Sequence, residues 1–510
     1  MLVAAVAMLF FSTSFNVVAR SALAGLIKSF SVSLIVATSL LQMALMEKSG
    51  ALKRVIIFIK TIASENKAVQ IMLINIGFGT LMVSVGATPV SLLPPILIAM
   101  GYSTYVAIAL PAIGYDSLCT YALLGAPIVV LVDMANGFLA KMAEAGAIAA
   151  GTQVTLSSVA HIFAYFVPVT SFMIGIAMLW ITGKWQGVKK GLLPCLVTGF
   201  VIGLVAFATS HFNNLVCLTG VFCGIAVILA MLIYLKVTGK KIIDKSKLTP
   251  EELKYEKDYS LLKALSPWIL LIVIILVLNV PPKLFTELYR NLLFPINGLT
   301  ADGTPIKTRF LWNAYTWIFV STILSVFILR PTKQQLKETC SVWLKRAPKP
   351  VFAAAIFFAI GEVMNMSGYD TSKPITGQDM KLNMVSILAT ASAHAFHAAY
   401  GAIVSFIGLF GGFITGSEAS TIGMFGTYVM KTAAGLGLGV KCIIIMAAGL
   451  AFGAGLASVI SPAKLQNAAA SIDKIGEENK VIRTAFVFSI IFVAVTVVIT
   501  LVLLKVFHGQ

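Results

Sequence analysis

Several ionisable side chains fall inside or beside apolar stretches of this chain: Lys28, Asp116, His161, Glu362, Asp370, His394, His397 and Glu418. In hydrocarbon such a group costs at least ~2.5 kcal/mol on insertion scales, so its default reading is a proton relay, an ion path or a substrate counter-charge. Asp116 and Glu418 carry this reading furthest. Each lies beside a place where a helix must break, and freed N–H groups there can hold a carboxylate or a substrate anion. These two are the first choices for proton coupling, with His394 third. His394 and His397 are three residues apart and share a helix face, but no further ligand stands near them. A polar or proton-carrying lining is expected there, and no metal. Lys28 can snorkel, His161 sits near the end of a span, and Asp370 follows the loop-like Ser367-Gly368-Tyr369.

The breaks themselves come in two pairs. Ser84-Val85-Gly86-Ala87-Thr88-Pro89 is followed by Leu124-Gly125-Ala126-Pro127, and Thr415-Gly416-Ser417-Glu418-Ala419-Ser420 by Val459-Ile460-Ser461-Pro462. In lipid each unpaired backbone group costs several kcal/mol unless protein, water or ligand satisfies it. Matched breaks in two halves point to a transporter's binding site. Half-helix N-termini favour an anion. The expected substrate contacts are Thr415, Gly416, Ser417, Ser420 and Ser461, with Gly86 and Thr88 from the first half. The two halves are expected to be inverted repeats, with 84–89 meeting 415–420 near the midplane. Gly401, Gly408, Gly411 and Gly412 read as close helix packing.

The surrounding elements are membrane spans. The chain has 510 residues, of which 58% are hydrophobic and 11% charged, with mean hydropathy +0.94. A soluble protein carries about 25% charge. The fold class is therefore an all-α, polytopic transmembrane helix bundle with broken or re-entrant helices, and 89–113 and 420–435 are the re-entrant candidates. The apolar N-terminal run reads as spans over 2–18 and 22–46. One stretch has soluble character, 236–263, with a helix start at Thr249-Pro250-Glu251-Glu252. It divides the chain into a half over 1–235 and a half over 264–510. The net charge of +18 does not imply nucleic acid, because its lysines and arginines cluster in short loops. By the positive-inside rule, 183–190, 236–263 and 330–350 face the cytoplasm and 281–309 faces out, in a multi-pass protein of the plasma membrane. The cysteines show no CxxC spacing, and neither a disulfide framework nor a zinc site is expected. No HExxH, GxSxG or Walker lysine motif is present, so neither an enzyme nor an ATP-driven pump is indicated. An ion gradient is the simplest energy source, with no cofactor.

Gly412-Phe413-Ile414-Thr415-Gly416-Ser417-Glu418-Ala419-Ser420 resembles the G-x-[FL]-[IL]-T-G-S-[DN]-[TA]-S signature of the bacterial lactate permease family. Val459-Ile460-Ser461-Pro462, with Ala468-Ala469-Ala470, Gly476, Glu477 and Arg483 after it, is similar to that family's I-S-P break. Val363-Met364-Asn365-Met366-Ser367-Gly368 and Trp185-Gln186-Gly187-Val188-Lys189 are weaker echoes. The resemblance implies a secondary transporter that imports L-lactate or a related 2-hydroxy monocarboxylate by proton symport. Three positions depart from the family pattern. Glu418 replaces an aspartate, Ala463 a glutamine, and Val83–Pro89 is shorter than the family's E-G-x-x-G-F-G-x-P and has no acid. The chain also begins at what resembles the family's second span. A carrier for another organic anion, coupled to sodium, is the alternative. A membrane-embedded enzyme or a channel is further off. The oligomeric state is left open.

Overall fold

In the computed structural model the described residues are 1–62, 66–87, 89–369 and 379–508, without the side chains of Ser91, Tyr115, Asp116, Lys247 and Ala463. Thr88 and Asp370 thus lie outside the described residues, as does the Asp116 side chain. Among the described residues the elements are helices, apart from one antiparallel hairpin that pairs Phe294–Ile296 with Ile306–Thr308 and an isolated bridge between Ile62 and Ile243. Among the described residues, ten helices are long and apolar enough to cross a membrane. The longest of them, Val167–Ser210, is really two limbs. Its backbone leaves helical geometry at Gly183 and Lys184, and the limbs then run antiparallel, with Gly175 facing Cys195 and Gly203 facing Pro168.

The expected re-entrant hairpin is present over 89–114. It consists of the helices Pro89–Ala99 and Thr104–Gly114, 11 residues each, packed on one another. At 1.5 Å per residue each is ~16 Å long, about half of the hydrocarbon core. Internal prolines at Pro94, Pro95 and Pro111 mark both arms. The second expected re-entrant segment, 420–435, lies within one unbroken helix of 18 residues, Glu418–Gly435. It holds no proline, and Ser417 caps its start by accepting from Ser420 N–H, so nothing interrupts it. The N-terminal run also differs from the expected 2–18 and 22–46. It forms Leu2–Phe10, then Phe15–Lys28 capped by Ser14, then Phe30–Lys48 after a bend at Ser29. At that bend Lys28 Nζ lies 2.6 Å from Glu362 Oε1, so the two isolated charges read from the sequence are one ion pair.

Two of the segments expected on the cytoplasmic side contact the same stretch of chain. Arg54–Glu256, Lys60–Glu252, Lys48–Glu338 and Arg346–Glu47 tie the 236–263 and 330–350 segments to residues 47–60 on one face. The expected helix of the linker is Pro250–Asp258, with a Thr249/Glu252 capping box. The 281–309 loop is clamped to other partners across the single span Leu261–Asn279. Arg309 grips both oxygens of Asp133, Lys141 pairs with Asp302, and Arg20 donates to the Gly298 and Thr300 carbonyls. Burial alone would raise the Asp302 pKa, but the Lys141 charge and the hydrogen bonds from Lys141 and Thr304 outweigh it and hold it at about 2.

The helix Val440–Ala457 is buried from Cys442 to Ala457, as an element apolar on every face should be. Tyr400–Thr415 packs along it so closely that a Cβ on Gly412 would lie 2.1 Å from the Ala454 carbonyl oxygen, and one on Gly408 2.2 Å from that of Leu450. Small residues allow this approach. Gly412→Leu is therefore expected to prevent folding, giving no monodisperse peak on gel filtration in detergent. Gly137→Ala, where a Cβ meets nothing within 4 Å, should be neutral or stabilising by up to ~1 kcal/mol in a thermal melt. Normal melting of Gly412→Leu would contradict this packing.

Candidate functional site

The Tyr400–Thr415 helix stops at Gly416, whose φ of +63° is the left-handed conformation that closes a helix C-terminus. Ser417 is extended and begins the next helix. The short-range hydroxyls satisfy much of this turn. Thr415 Oγ1 donates to Ser417 O at 2.8 Å and accepts from Ser417 N–H at 3.1 Å, while Thr421 Oγ1 donates to Ser417 O at 2.9 Å. Thr415, Gly416 and Ser417 are partly exposed. The Ser420 hydroxyl is fully buried and has no hydrogen-bond partner among the described residues.

Glu418 occupies the first turn of Glu418–Gly435 and is 4% exposed. Its carboxylate crosses to the other half of the chain. Cys119 Sγ lies 2.8 Å from Oε2, and Thr120 Oγ1 lies 3.1 and 3.2 Å from the two oxygens. A Cβ at Gly455 would come within 2.7 Å of Glu418 Oε2, so glycine there leaves the carboxyl its room. Cys119 and Thr120 belong to the 3₁₀ segment Tyr115–Tyr121, which is distorted at Leu118. Leu123, Leu124 and Gly125 follow with φ of 53°, 55° and 75°, a short left-handed turn. The two leucines cost about 1–2 kcal/mol each in that conformation, strain of the kind that collects at working sites.

The second C-terminal break closes on the same place. The chain leaves helical geometry at Ser461, and a Cβ on Gly416 would lie 2.8 Å from Ser461 Oγ. One turn further on, Lys464 Nζ donates to Ser458 Oγ at 2.6 Å. Lys464 is absent from the sequence reading, although a lysine three residues after a Ser-Pro break in an apolar run was signal enough. A carboxylate, several hydroxyls and broken backbone thus converge where both halves meet, with Lys464 following the second break. Such a site can hold a small carboxylate and exchange a proton.

Other expected residues lie elsewhere. Gly86, with φ +90°, faces Ser39 and Ile318 and not the 415–420 turn. The helix end at 84–87 closes on itself, Ala87 N–H donating to Met82 O at 2.8 Å and Gly86 N–H to Val83 O at 3.1 Å. The segment from the first half that reaches Glu418 is 115–121, in place of 84–89. Asp116 lies in that segment by its backbone. His394 is exposed, its ring 6.4 Å from that of His397, and it is not brought to Glu418.

Half-length re-entrant helices, and a buried carboxylate held where broken segments from both halves meet, define a multi-pass membrane transporter. The family model described as L-lactate permease matches residues 1–507. The chain belongs to the L-lactate permease family, a family of permeases and not of enzymes, and is a multi-pass protein of the plasma membrane. The glycolate permease of Escherichia coli K12 is 24% identical over 488 residues, covering 88% of this chain and 80% of the relative. The L-lactate permease of Bacillus subtilis 168 is 21% identical, covering 86% and 78%. Among solved structures, the YdaH transporter of Alcanivorax borkumensis superposes with a TM-score of 0.46 at 11% identity, covering 94% of this chain and 87% of that one.

Gly416→Val combines a forbidden backbone conformation with a clash against Ser461 and should abolish uptake of the transported anion into membrane vesicles at equal protein level. Cys442→Ala, on the buried helix away from the turn, should leave uptake intact. Undiminished uptake by Gly416→Val would remove the turn from the site.

Proposed function

We propose that the protein imports a small 2-hydroxy monocarboxylate, lactate or glycolate, together with a proton. The observation that carries this is the Glu418 carboxylate, buried between the two broken regions, with Cys119 and Thr120 of the first half among its donors. Two negative charges in one low-dielectric site repel strongly, so an arriving carboxylate is accommodated when one of the pair is protonated. A proton on Glu418 then travels with the anion, and the loaded site gains no net charge. When the site is empty, Glu418 is served as an anion by Cys119, Thr120 and the N-terminus of its own helix. The relatives named for L-lactate and glycolate support the substrate class.

A 2-hydroxy acid needs donors for its carboxylate and a partner for its hydroxyl. Lys464 Nζ, Ser461 Oγ and the unpartnered Ser420 Oγ supply donors, and the Ser417 and Thr415 oxygens supply acceptors. Asp116 is the second choice for the proton, on its place in the 115–121 segment.

The test is uptake of labelled L-lactate, glycolate and pyruvate into proteoliposomes, with pH and sodium gradients imposed separately. The expected result is accumulation of the 2-hydroxy acids under an inward proton gradient alone. Glu418→Gln should keep anion exchange at equilibrium but lose gradient-driven accumulation. Accumulation driven by sodium alone, or proton-driven accumulation that survives in Glu418→Gln, would contradict the proposal.

A further inference from the structure

Lys431 lies in the C-terminal half of Glu418–Gly435, one turn before its end, on the helix that begins at Glu418. Its amine donates to Ser386 Oγ at 2.9 Å and faces Asn383 Oδ1 at 3.5 Å, both neutral oxygens. Among the described residues no carboxylate lies within ion-pair distance of it. Its charged neighbour is another cation, Lys141, which is itself engaged by Asp302 of the outward 281–309 loop. On the charge-pattern reading that this loop faces out, Lys431 stands towards the outer end of its helix. A partly buried ammonium held only by neutral oxygens is an incomplete ion pair.

The surroundings are built from fixed polar groups. Asn383 Nδ2 donates to the Asn365 and Ser367 carbonyls, both at 2.9 Å, and Ser386 Oγ donates to Asn383 Oδ1 at 2.8 Å. Asn365 Nδ2 donates to Thr427 Oγ1 at 3.3 Å. Along the helix, Ser417, Ser420, Met424, Thr427 and Lys431 are spaced by three or four residues and share one face. Of these, Ser417, Met424, Thr427 and Lys431 are partly exposed, and Ser420 is the buried residue with the unpartnered hydroxyl. A stripe of partly exposed residues, interrupted by the buried Ser420, thus runs from the lysine towards the broken turn beside Glu418, ~20 Å along the axis.

We infer that Lys431, with Ser386, Asn383 and Thr427, forms an outer recognition site that takes the carboxylate of the incoming anion before it reaches the Glu418 site. This rests on the reading of the protein as an anion carrier. The lysine supplies the charge, Thr427 supplies a hydroxyl donor, Ser386 and Asn383 hold the amine in place, and the stripe supplies the route inward. The positive mouth also concentrates anions over cations at the entrance.

The experiment uses the full chain in right-side-out vesicles with labelled L-lactate and glycolate. Lys431→Gln should raise KM by about ten- to a hundredfold with maximal rate nearly unchanged, and Lys431→Arg should restore most of the affinity, because what is lost is a charge-assisted hydrogen bond. An unchanged KM in Lys431→Gln overturns the inference. A second readout covers variants that fold poorly. In a Cys340→Ser background, Lys431→Cys should react with a membrane-impermeant thiol reagent added outside, and L-lactate or glycolate should slow the reaction. No labelling from outside, or labelling at the same rate with saturating anion, overturns it. Protection by acetate or another carboxylate, with neither protection by nor transport of a 2-hydroxy acid, keeps the outer anion site and overturns the proposed substrate instead.

Discussion

Backbone N–H and C=O groups freed by a helix break at hydrocarbon depth must find partners inside the protein. The rest of this structure follows from how that constraint is met. At 415–421 three hydroxyls close the turn locally, and the helix that starts there places Glu418 in its first turn, where the backbone dipole favours an anion. The carboxylate then needs donors of its own, and they come from another irregular segment, the 3₁₀ stretch carrying Cys119 and Thr120. Two distortions that would each be costly alone satisfy one another, and this joins the two halves of the chain at a single buried acid.

Close packing makes the joint rigid. Gly408, Gly412 and Gly453 let Tyr400–Thr415 lie directly on Val440–Ala457, so the turn at Gly416 and the break at Ser461 are held in register. Gly455 on the same buried helix keeps the space that Glu418 occupies. At the bend between Phe15–Lys28 and Phe30–Lys48, the Lys28–Glu362 pair ties the N-terminal helices to Pro348–Asn365, which packs in turn on Glu418–Gly435. The site is thus framed by elements from both ends of the sequence.

Much of this was legible in the residues. Gly, Ser, Thr and Pro inside apolar runs mark breaks because each disturbs a helix by a known mechanism, and both C-terminal breaks fall where they were read. The paired short helices over 89–114 followed from the tight break that precedes them. Other features carried no local signal. Cys119 and Thr120 are ordinary filler in a span until the fold sets them beside Glu418. The left-handed turn at Leu123 and Leu124 could not be read, because leucine rarely adopts that conformation and nothing in its type announces it. Gly86 was paired with the wrong partner because periodicity locates a break without saying which other break it meets. Lys464 and the Lys28–Glu362 pair show the same limit: a charge in an apolar run is visible, and its partner is not.

The central claim is that Glu418 takes up a proton when the anion binds. Infrared difference spectroscopy of the reconstituted protein at neutral pH tests it directly. Adding L-lactate or glycolate should produce the carbonyl-stretch band of a protonated carboxylic acid, and that band should be missing in Glu418→Gln. Saturable anion binding with no such band, or a band that persists in Glu418→Gln, would contradict the account.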